Sequence, residues 1–449
     1  MLRNLPRVRA AAGALGAVVG YGCGLLAEHR AETKASSAER HSIVVIGGGA
    51  AGLSVASQLL LKLGTTADVA IVEPSEWHYY QPGWTLVGGG IMKAEETRKK
   101  MSSFMPKGAT WIKAAVSAID PDQNSLSLAD GRQVGYDFLV VAPGLQIDFC
   151  CVKGLKEAVG HDGVSSIYDY EHCQATWEDV RAFKGGTAVF TQPKSGIKCG
   201  GAPQKIMWLA EDYWSRAAVR KDVTVKFCTG LGSMFAVPKY REALERLVRE
   251  RGVDASFGHE LVEVDGARKV ATFEKADGSR VSLEYDLLHV VPRMGAPAFI
   301  KASPLACKAT GFVEVDKQSL QHVAYPNVFA CGDVASTPNS KTAAAVTAQA
   351  PVVVHNLIRQ MEGKRGKAQY DGYASCPILT RRGELLLAEF KYGGVLAETF
   401  HAPPLLDQGK PQALFYYMKT IVFPFAYWNF MLHGRWFGTR TFFEPRYTE

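Results

Sequence analysis

The chain has 449 residues, of which 51 are Lys or Arg, 44 are Asp or Glu and 9 are Cys. A hydrophobic fraction of 47% excludes global disorder, and the ordinary numbers of Gly (44) and Pro (21) exclude a collagen-like chain. The net charge of +7 is too small to indicate a nucleic-acid binder, and the odd, scattered cysteines exclude a dense disulfide scaffold.

The first 40 residues are predicted to be a targeting leader followed by a linker. Arg3, Arg7 and Arg9 precede every acidic residue, and Ala10 to Ala27 is an uncharged stretch rich in Ala and Gly. Such a basic, acid-poor N-terminus is typical of an organelle transit peptide, which predicts import into mitochondria. A secretory signal and a weak membrane anchor are the alternatives, although the glycines make the stretch poorly suited to spanning a bilayer.

A dinucleotide-binding site is predicted directly after the linker. Ser42 to Ile46 is a short β-branched strand, residues 47–52 read G-x-G-x-x-G, and Leu53 to Leu63 has helical periodicity. These glycines allow a tight turn, the approach of a pyrophosphate to the backbone and close helix–strand packing. The next strand, Asp68 to Val72, is followed by Glu73, where a ribose-binding carboxylate belongs.

Two later segments resemble those of flavoproteins of the glutathione-reductase type, which bind FAD through separated parts of the chain. Tyr136 to Gly144 is a predicted strand that ends in a turn, and Tyr325 to Asp333 is one that ends in a Gly-Asp pair. In that family the Asp of the pair contacts the ribityl chain of FAD, which the resemblance implies for Asp333. Taken alone, Asp333 is an ordinary turn or helix-capping residue.

The second nucleotide unit of such flavoproteins is predicted to be altered in this chain. Thr187 to Thr191 reads as its first strand, but the loop from Gln192 to Pro203 contains no G-x-G-x-x-G. Because Pro193 and a long loop replace the glycines that admit a pyrophosphate, we expect that NAD(P)H is not the electron donor. An NAD site with an unusual loop is the alternative.

Two cysteines are candidates for catalysis. Cys199 and Cys376 each fall in a predicted loop, and the helix predicted from Gln204 to Ala217 follows Cys199, so that its N-terminus favours the thiolate. Lys198, Lys205 and Lys341 are candidate cations for thiolate and cofactor, with ordinary solvated lysines as the alternative. No Cys/His cluster suggests zinc, so no metal is predicted. The remaining cysteines fit leader, core or incidental positions: Cys23, Cys150, Cys151, Cys173, Cys228, Cys307 and Cys331. Cys331 lies beside the predicted flavin segment, and a place near the flavin ring is the alternative for it.

The C-terminal region is unusually aromatic. Residues 415–437 contain ten aromatic side chains, and Thr420 to Leu432 carries no charge. Thirteen residues are too few to span a bilayer, and Pro424 is predicted to interrupt any single helix. The segment is either a buried helix pair that covers the core or a cap that lies at a membrane surface and shapes a channel for a quinone.

Residues 41–449 resemble the mitochondrial sulfide:quinone oxidoreductase family, a branch of the flavoproteins above. The resemblance implies an FAD-dependent enzyme of the mitochondrial inner membrane that oxidises hydrogen sulfide through a cysteine pair. It further implies that electrons pass to ubiquinone and that the sulfane sulfur passes to an acceptor such as sulfite or glutathione. The stretches that carry the resemblance are His78-Tyr-Tyr-Gln-Pro82, Trp84-Thr-Leu-Val-Gly88, Lys198-Cys-Gly-Gly-Ala-Pro-Gln-Lys-Ile-Met207, Lys341-Thr-Ala-Ala-Ala345, Tyr370-Asp-Gly-Tyr-Ala-Ser-Cys-Pro377 and Tyr427-Trp-Asn429.

The family's functional residues carry over to matching positions. Cys199 and Cys376 correspond to the sulfur-binding pair. Phe423, Phe425, Tyr427 and Trp428 are predicted to form the quinone pocket. The predicted FAD contacts are Gly47, Gly49, Ala51, Gly52, Glu73, Gln81, Val116, Asp333, Lys341, Thr342, Ala343 and Ala344.

The fold is therefore predicted to be α/β, with two Rossmann-like domains and a C-terminal membrane-associated helical segment. The FAD domain is noncontiguous, over residues 41–150 and 301–370, and a second domain without the NAD fingerprint covers 151–300. Residues 371–449 are assigned to the redox cysteine and the membrane and quinone region, after a leader of residues 1–40. A type II NADH:quinone oxidoreductase of the same fold and a non-enzymatic flavoprotein module are the rival interpretations.

Overall fold

The computed structural model describes residues 39–400 and 406–447. The predicted leader lies outside the described residues, apart from its last two positions, which open the first strand. The strands are β1 Glu39–Ile46, β2 Val69–Val72, β3 Trp77–Tyr79, β4 Arg98–Lys100, β5 Ala109–Ile112, β6 Val116–Asp120, β7 Ser125–Leu128, β8 Gln133–Val141, β9 Gln146–Asp148, β10 Val164–Ser165, β11 Gly186–Gln192, β12 Val223–Thr229, β13 Asp254–Phe257, β14 His259–Asp265, β15 Val270–Lys275, β16 Arg280–Glu284, β17 Leu287–His289, β18 Arg293–Gly295, β19 Val328–Ala330, β20 Ala374–Arg381 and β21 Glu384–Phe390.

The helices include long ones that pack on the sheets and short ones that turn the chain. The α-helices are α1 Ala50–Leu63, α2 Trp84–Gly88, α3 Leu155–Ala158, α4 Tyr170–Ala182, α5 Ala202–Arg216, α6 Pro238–Glu250, α7 Ala298–Lys301, α8 Ala343–Met361, α9 Ala413–Tyr417 and α10 Phe423–Ala426. Among the residues the structure describes, none of the helices is both long enough and apolar enough to cross a membrane.

The first sheet is built from two distant parts of the chain. Its strands lie in the order β5-β2-β1-β8-β7-β6, and β19 also pairs with β8. The first half of β8 pairs antiparallel with β7, and its last three residues pair parallel with β19. β-Branched runs such as Ile43–Ile46 are buried on both faces, as central parallel strands require. The sheet therefore brings the Gly-Asp pair after β19 to the same edge as the glycine turn after β1.

The second sheet is wholly parallel, in the order β10-β17-β11-β12-β13. Helix α5 packs on it, and Trp208 and Trp214 of this helix are fully buried against Phe190 and Phe227 of the sheet. The predicted strand Thr187–Thr191 is the central part of β11. A first sheet with parallel central strands and a wholly parallel second sheet, both covered by helices, confirm the predicted α/β fold class.

Cys376 does not lie in a loop, and this prediction from the sequence is wrong. It is 1% exposed in strand β20, where it pairs with Ala388 of β21. The neighbouring Pro377 suggested a loop, but a two-stranded ribbon tolerates proline because its outer edge needs no N–H donor. The hairpin packs against α5, which places Cys376 close to the start of that helix.

The predicted interruption at Pro424 is also wrong, because the chain stays helical from Ala413 to Met431. Wider π-helical turns at Met418–Val422 and Tyr427–Met431 alternate with α9 and α10. Proline has no backbone N–H to offer to a helix, and the π turn directly before it takes up the local disruption. We refer to residues 413–431 as the C-terminal helical run.

Candidate active site

A cavity of about 620 Å³ connects the first sheet to the C-terminal helical run. Segments that follow strands of the two sheets, the β20–β21 hairpin and the helical run all contribute to its wall. The lining residues that could bind a ligand or take part in a reaction include Gly48, Gly49, Glu73, His78, Gln81, Lys198, Cys199, Lys205, Asp333, Lys341, Lys419 and Tyr427.

The glycine-rich turn forms a cradle at one end of this cavity. A Cβ atom on Gly52 would lie 1.8 Å from the carbonyl oxygen of Gly47, so only glycine allows this packing. A Cβ atom on Gly49, in contrast, would meet no protein atom within 4 Å, because it would project into the cavity. Open space in front of a helix N-terminus is the arrangement that receives a pyrophosphate, so the turn fits a dinucleotide.

Glu73 lies beside this cradle. Its carboxylate accepts hydrogen bonds of 2.7 Å from the backbone N–H groups of Gly48 and Ser75. Burial raises the pKa of Glu73, although these two hydrogen bonds oppose the effect. The residue thus holds the turn in shape as well as facing the cavity.

Asp333 faces the cavity without a hydrogen-bond partner among the described protein groups. Burial raises the pKa of its carboxyl, and the Lys341 and Lys198 ammonium groups partly offset this. Lys341 donates to the carbonyl oxygen of Ala335 (3.0 Å), and Lys198 donates to Oε1 of Gln81 (2.9 Å). Free carboxylate oxygens fit a ligand that carries hydroxyl groups, such as the ribityl chain of FAD.

Nine of the twelve predicted FAD contacts line the cavity, and three do not. Gly47 and Gly52 shape the turn behind the lining. Val116 belongs to β6, where it packs in the core under the first sheet and does not line the cavity. Those on the lining are Gly49, Ala51, Glu73, Gln81, Asp333, Lys341, Thr342, Ala343 and Ala344.

Cys199 is held in an unusual backbone conformation above α5. Its φ angle is +50°, in the left-handed region that side chains other than glycine rarely adopt. Its N–H donates to the carbonyl of Lys341 (2.7 Å), and its own carbonyl accepts from the N–H of Ala202 (2.8 Å). Strain of about 1–3 kcal/mol at one residue is typical of functional sites, where surrounding contacts impose it.

The two predicted catalytic cysteines meet at the N-terminus of α5. A hydrogen bond from the Cys376 thiol and the nearby Lys205 ammonium hold the pKa of the Cys199 thiol well below its usual range. The same hydrogen bond and burial raise the pKa of Cys376. Nζ of Lys205 lies 3.1 Å from Sγ of Cys199 and is buried, so Lys205 is not the solvated lysine of the alternative interpretation. The arrangement therefore favours the thiolate at Cys199 and the thiol at Cys376.

Sequence reasoning missed Lys419, which lies in the cavity wall opposite α5. Its side chain is 4% exposed, and its Nζ donates to the carbonyl of Pro82 (3.0 Å). Burial and then the Lys205 ammonium lower the pKa of Lys419 to about 7, against the raising effect of the two cysteine sulfurs. In the sequence, Lys419 is the one lysine or arginine between Lys410 and Arg435, and it lies in an aromatic-rich segment. This pattern is the signal that could have identified Lys419 as a site residue.

The four predicted quinone-pocket residues divide into two pairs. Phe423 and Tyr427 line the cavity. Phe425 is 59% exposed on the outer face of the helical run, and Trp428 stacks on Phe104 at a ring separation of 5.1 Å. Neither Phe425 nor Trp428 borders the cavity, because the helix turns their side chains away from it.

His78 links the glycine turn to the C-terminal helical run. Burial lowers its pKa to about 4, so the imidazole is neutral at physiological pH. Its Nδ1 lies 3.0 Å from the carbonyl of Gly48, which can only accept, so Nδ1 carries the proton. Nε2 then accepts from the Tyr427 hydroxyl at 2.7 Å. The run is thereby fixed over the dinucleotide cradle.

Comparisons with known proteins agree with this geometry. The chain matches the family described as pyridine nucleotide-disulphide oxidoreductase over residues 41–350. The mitochondrial sulfide:quinone oxidoreductase of Dictyostelium discoideum is 50% identical over 404 residues, covering 90% of this chain and 88% of that protein. Its counterpart of the same name in Mus musculus is 41% identical over 400 residues, covering 89% and 88%. The X-ray structure of the sulfide:quinone oxidoreductase from Aquifex aeolicus has a TM-score of 0.73 at 19% identity, covering 88% of this chain and 92% of that one.

The fold and the glycine cradle, together with this match, define the class: an α/β oxidoreductase of the pyridine nucleotide-disulphide type. Within that class, identities of 41% and 50% over most of each chain show that it belongs to the sulfide:quinone oxidoreductase family. The family resemblance predicted from the sequence is thereby confirmed. The Aquifex structure, at 19% identity, supports the fold alone.

Proposed function

We propose that the protein oxidises hydrogen sulfide, passes two electrons through bound FAD to ubiquinone, and transfers the sulfane sulfur to sulfite, glutathione or a similar thiol. The observation that carries the proposal is the meeting of two cysteines 177 positions apart: Cys199, which lines the cavity that the dinucleotide cradle opens into, and Cys376, which is buried behind it. A chance pair of core cysteines would not share a buried lysine and a strained loop.

The residues that would hold FAD are those of the cradle and of the edge of the first sheet. The turn around Gly49 would receive the pyrophosphate, Glu73 would hold the ribose, and Asp333 with Lys341 would contact the polyol chain; all four residues line the cavity. The redox chemistry, acceptance of an electron pair from the thiols and its delivery to ubiquinone, is supplied by FAD when it is bound.

The chain's own residues perform the sulfur chemistry. In the oxidised enzyme, Cys199 and Cys376 are joined directly or through sulfur, and hydrosulfide attacks the sulfur on the Cys376 side. A new S–S bond forms there and the bond towards Cys199 breaks. Cys199 leaves as the thiolate when the pair is joined directly, and as its persulfide anion when a sulfur atom bridges the pair. Leaving ability follows low thiol pKa, and Lys205 stabilises the negative charge at Cys199. The acceptor nucleophile then removes the outer sulfur of the Cys376 persulfide, and the Cys376 sulfur departs as a thiolate.

The membrane and location parts of the proposal rest on other observations. The relatives from Dictyostelium and mouse are named mitochondrial, and the predicted leader agrees with that location. We assign the protein to the inner membrane surface, because the outer face of the C-terminal helical run is apolar. Large exposed side chains form this face: Leu414, Tyr417, Ile421 and Phe425.

The proposal is tested with the variants Cys199→Ser and Cys376→Ser of the purified yellow protein. Each should lose sulfide-driven reduction of a quinone analogue while FAD stays bound, because one sulfur of the pair is missing. Cys151→Ser is the matched control, since Cys151 is exposed and lies outside the cavity. Full activity in both site variants would overturn the thiol mechanism.

The same preparation separates the rival functions. A type II NADH:quinone oxidoreductase would lose its flavin colour with NADH, whereas this protein should lose it with sulfide and regain it with quinone. The loop after β11 argues against NADH, because it carries Pro193 and Cys199 in place of the glycines of a pyrophosphate turn. A flavoprotein module without enzymatic activity would respond to neither donor.

A further inference from the structure

A second cavity, of about 430 Å³, lies between helix α1 and the segment that follows the C-terminal helical run. Leu61, Phe430, Phe437 and Phe442 form its apolar wall. Among the described residues, none lines both this cavity and the active-site cavity, so the two are separate sites. Its volume is within the range of ligand-binding pockets. We refer to this cavity as the tail groove.

The charged side chains of the tail groove leave one positive charge over. Lys62 and Glu444 both line the groove and form an ion pair with each other, so their charges cancel. Arg435 also lines the groove and is exposed, and no carboxylate within residues 39–400 and 406–447 pairs with it. The groove is therefore complementary to a ligand that carries a single negative charge.

A buried amide in the groove also lacks a partner. Gln58 of α1 lines the tail groove and is 3% exposed, and its Oε1 has no hydrogen-bond partner in the described part of the chain. Buried polar atoms are nearly always hydrogen-bonded, because an unpaired one is unfavourable. An amide oxygen can only accept, so a ligand that completes this site supplies a donor such as a hydroxyl group.

The apolar wall continues into the outer face of the helical run. The Phe430 ring lies 5.7 Å from that of Phe425 and 4.8 Å from that of Phe442. Phe425 belongs to the face that we assign to the membrane surface, and Phe442 and Phe443 are 55% and 77% exposed. A ligand in the tail groove would thus adjoin the surface at which lipid chains are available.

We propose that the tail groove binds one anionic phospholipid with hydroxyl groups in its headgroup, as in phosphatidylglycerol. Arg435 pairs with the phosphate, Gln58 accepts a hydrogen bond from a headgroup hydroxyl, and the phenylalanine wall covers the upper part of an acyl chain. The inference rests on the membrane location in the proposed function. Binding is noncovalent and needs no redox step.

The test uses a lipid that stays monomeric, so that attraction to a charged bilayer does not contribute. Dihexanoylphosphatidylglycerol, kept below its critical micelle concentration, is titrated into the holoprotein in a calorimeter and should bind at one site. Glycerol 3-phosphate should bind at least about tenfold more weakly, because it has no chains to bury. Equal binding of the two would assign the groove to free phosphate esters and overturn the lipid.

Matched variants test the role of the unpaired charge. Arg435→Gln should weaken lipid binding about tenfold, since a charge-assisted hydrogen bond is lost, and Arg435→Lys should keep most of the affinity. Arg440→Gln removes an exposed charge from the same segment but outside the groove lining, and should leave the affinity unchanged. Equal affinities of Arg435→Gln and the parent protein, or an equal loss in Arg440→Gln, would overturn the site.

Glu444→Gln predicts a change in the opposite direction. This variant releases Lys62 from its ion pair, so lipid affinity should rise about fivefold, the contribution of one further cation. An affinity that falls or stays constant would mean that the ion pair only shapes the groove and would overturn the charge argument.

A vesicle experiment separates this site from the membrane location itself. The parent protein and Arg435→Gln should bind pure phosphatidylcholine vesicles equally, because the outer face makes that contact. If the protein binds such vesicles but not the short-chain lipid, the groove proposal fails and the membrane location stands. If it binds the short-chain lipid but no vesicles, the groove stands and the assignment to a membrane surface fails.

Discussion

At the scale of single residues, the site depends on how Cys199 is kept charged inside the protein. A thiolate at a buried position is unfavourable unless a cation and hydrogen bonds accompany it. The left-handed backbone of Cys199 directs its N–H to Lys341 and leaves the sulfur free to face Lys205. In the proposed mechanism, backbone strain and charge pairing act together to make Cys199 a good leaving group.

Removal of the Lys205 charge should make the reactivity of Cys199 more dependent on pH. Because Lys205 favours the thiolate, Lys205→Met should raise the pKa of Cys199 and move the midpoint of its reaction with iodoacetamide upwards by about one to two pH units. At pH 7 the variant should react more slowly than the parent protein, and above the new midpoint the two rates should converge.

The pH profile of Cys199 alkylation measures this directly. Lys107→Met serves as the control and should retain the parent midpoint, since its side chain is exposed and outside the cavity. A midpoint that does not move in Lys205→Met would assign the stabilisation of the thiolate to the Cys376 hydrogen bond and to α5 alone.

At the scale of elements, the C-terminal helical run has two faces with different tasks. Its inner face contributes Lys419, Phe423 and Tyr427 to the cavity, and the His78–Tyr427 hydrogen bond fixes that face. Its outer face presents Ile421 and Phe425, which are 61% and 59% exposed. A quinone that arrives from a bilayer would first meet the helical run, which also closes the cavity. The outer face would thus contact the membrane and the inner face would contact the quinone.

The outer face can be tested separately from the inner one. The double variant Ile421→Ser, Phe425→Ser should bind phosphatidylcholine vesicles at least about 100-fold more weakly, since each large apolar side chain contributes about 1.5–3 kcal/mol on burial. Sulfide-driven reduction of a water-soluble quinone analogue should be retained, because neither side chain lines the cavity.

Co-sedimentation with vesicles provides the measurement for this prediction. Val323→Ser, which alters an exposed apolar residue in another region, should sediment like the parent protein. Undiminished vesicle binding by the double variant would exclude this face as the membrane contact, and lost activity in solution would place Phe425 in the quinone pocket after all.

At the scale of the whole molecule, local patterns in the sequence predicted local features well. The G-x-G-x-x-G turn, the strand before Glu73 and the altered loop that carries Cys199 depend on neighbouring residues, and each lies where the pattern indicates. The strand conformation of Cys376 depends instead on pairing with β21 and packing on α5, which no local signal contains. The position of Lys419 likewise depends on how the helical run folds back over Pro82. Cys376 and Lys419, which complete the site, are therefore placed by contacts between residues far apart in the sequence.

The same long-range assembly predicts how the molecule responds to its cofactor. FAD would contact both the β1 turn and the segment after β19, so it binds the folded protein and not the unfolded chain. At a free concentration of about 100 times its Kd, such a ligand stabilises the fold by about 2.7 kcal/mol. Removal of FAD should therefore lower the Tm, and its addition back to the apoprotein should restore it, as differential scanning calorimetry would measure.

Two glycine variants make this prediction specific to the cradle. Gly49→Ala should leave the Tm of the apoprotein unchanged, because its Cβ meets no protein atom within 4 Å, but should diminish the stabilisation by FAD, because the methyl group occupies pyrophosphate space. Gly52→Ala should lower the stability of the apoprotein itself, because its Cβ would lie 1.8 Å from the carbonyl oxygen of Gly47. Equal stabilisation of Gly49→Ala and the parent protein by FAD would mean that the pyrophosphate does not bind at this turn, and the assignment of Asp333 to the polyol chain would then fail with it.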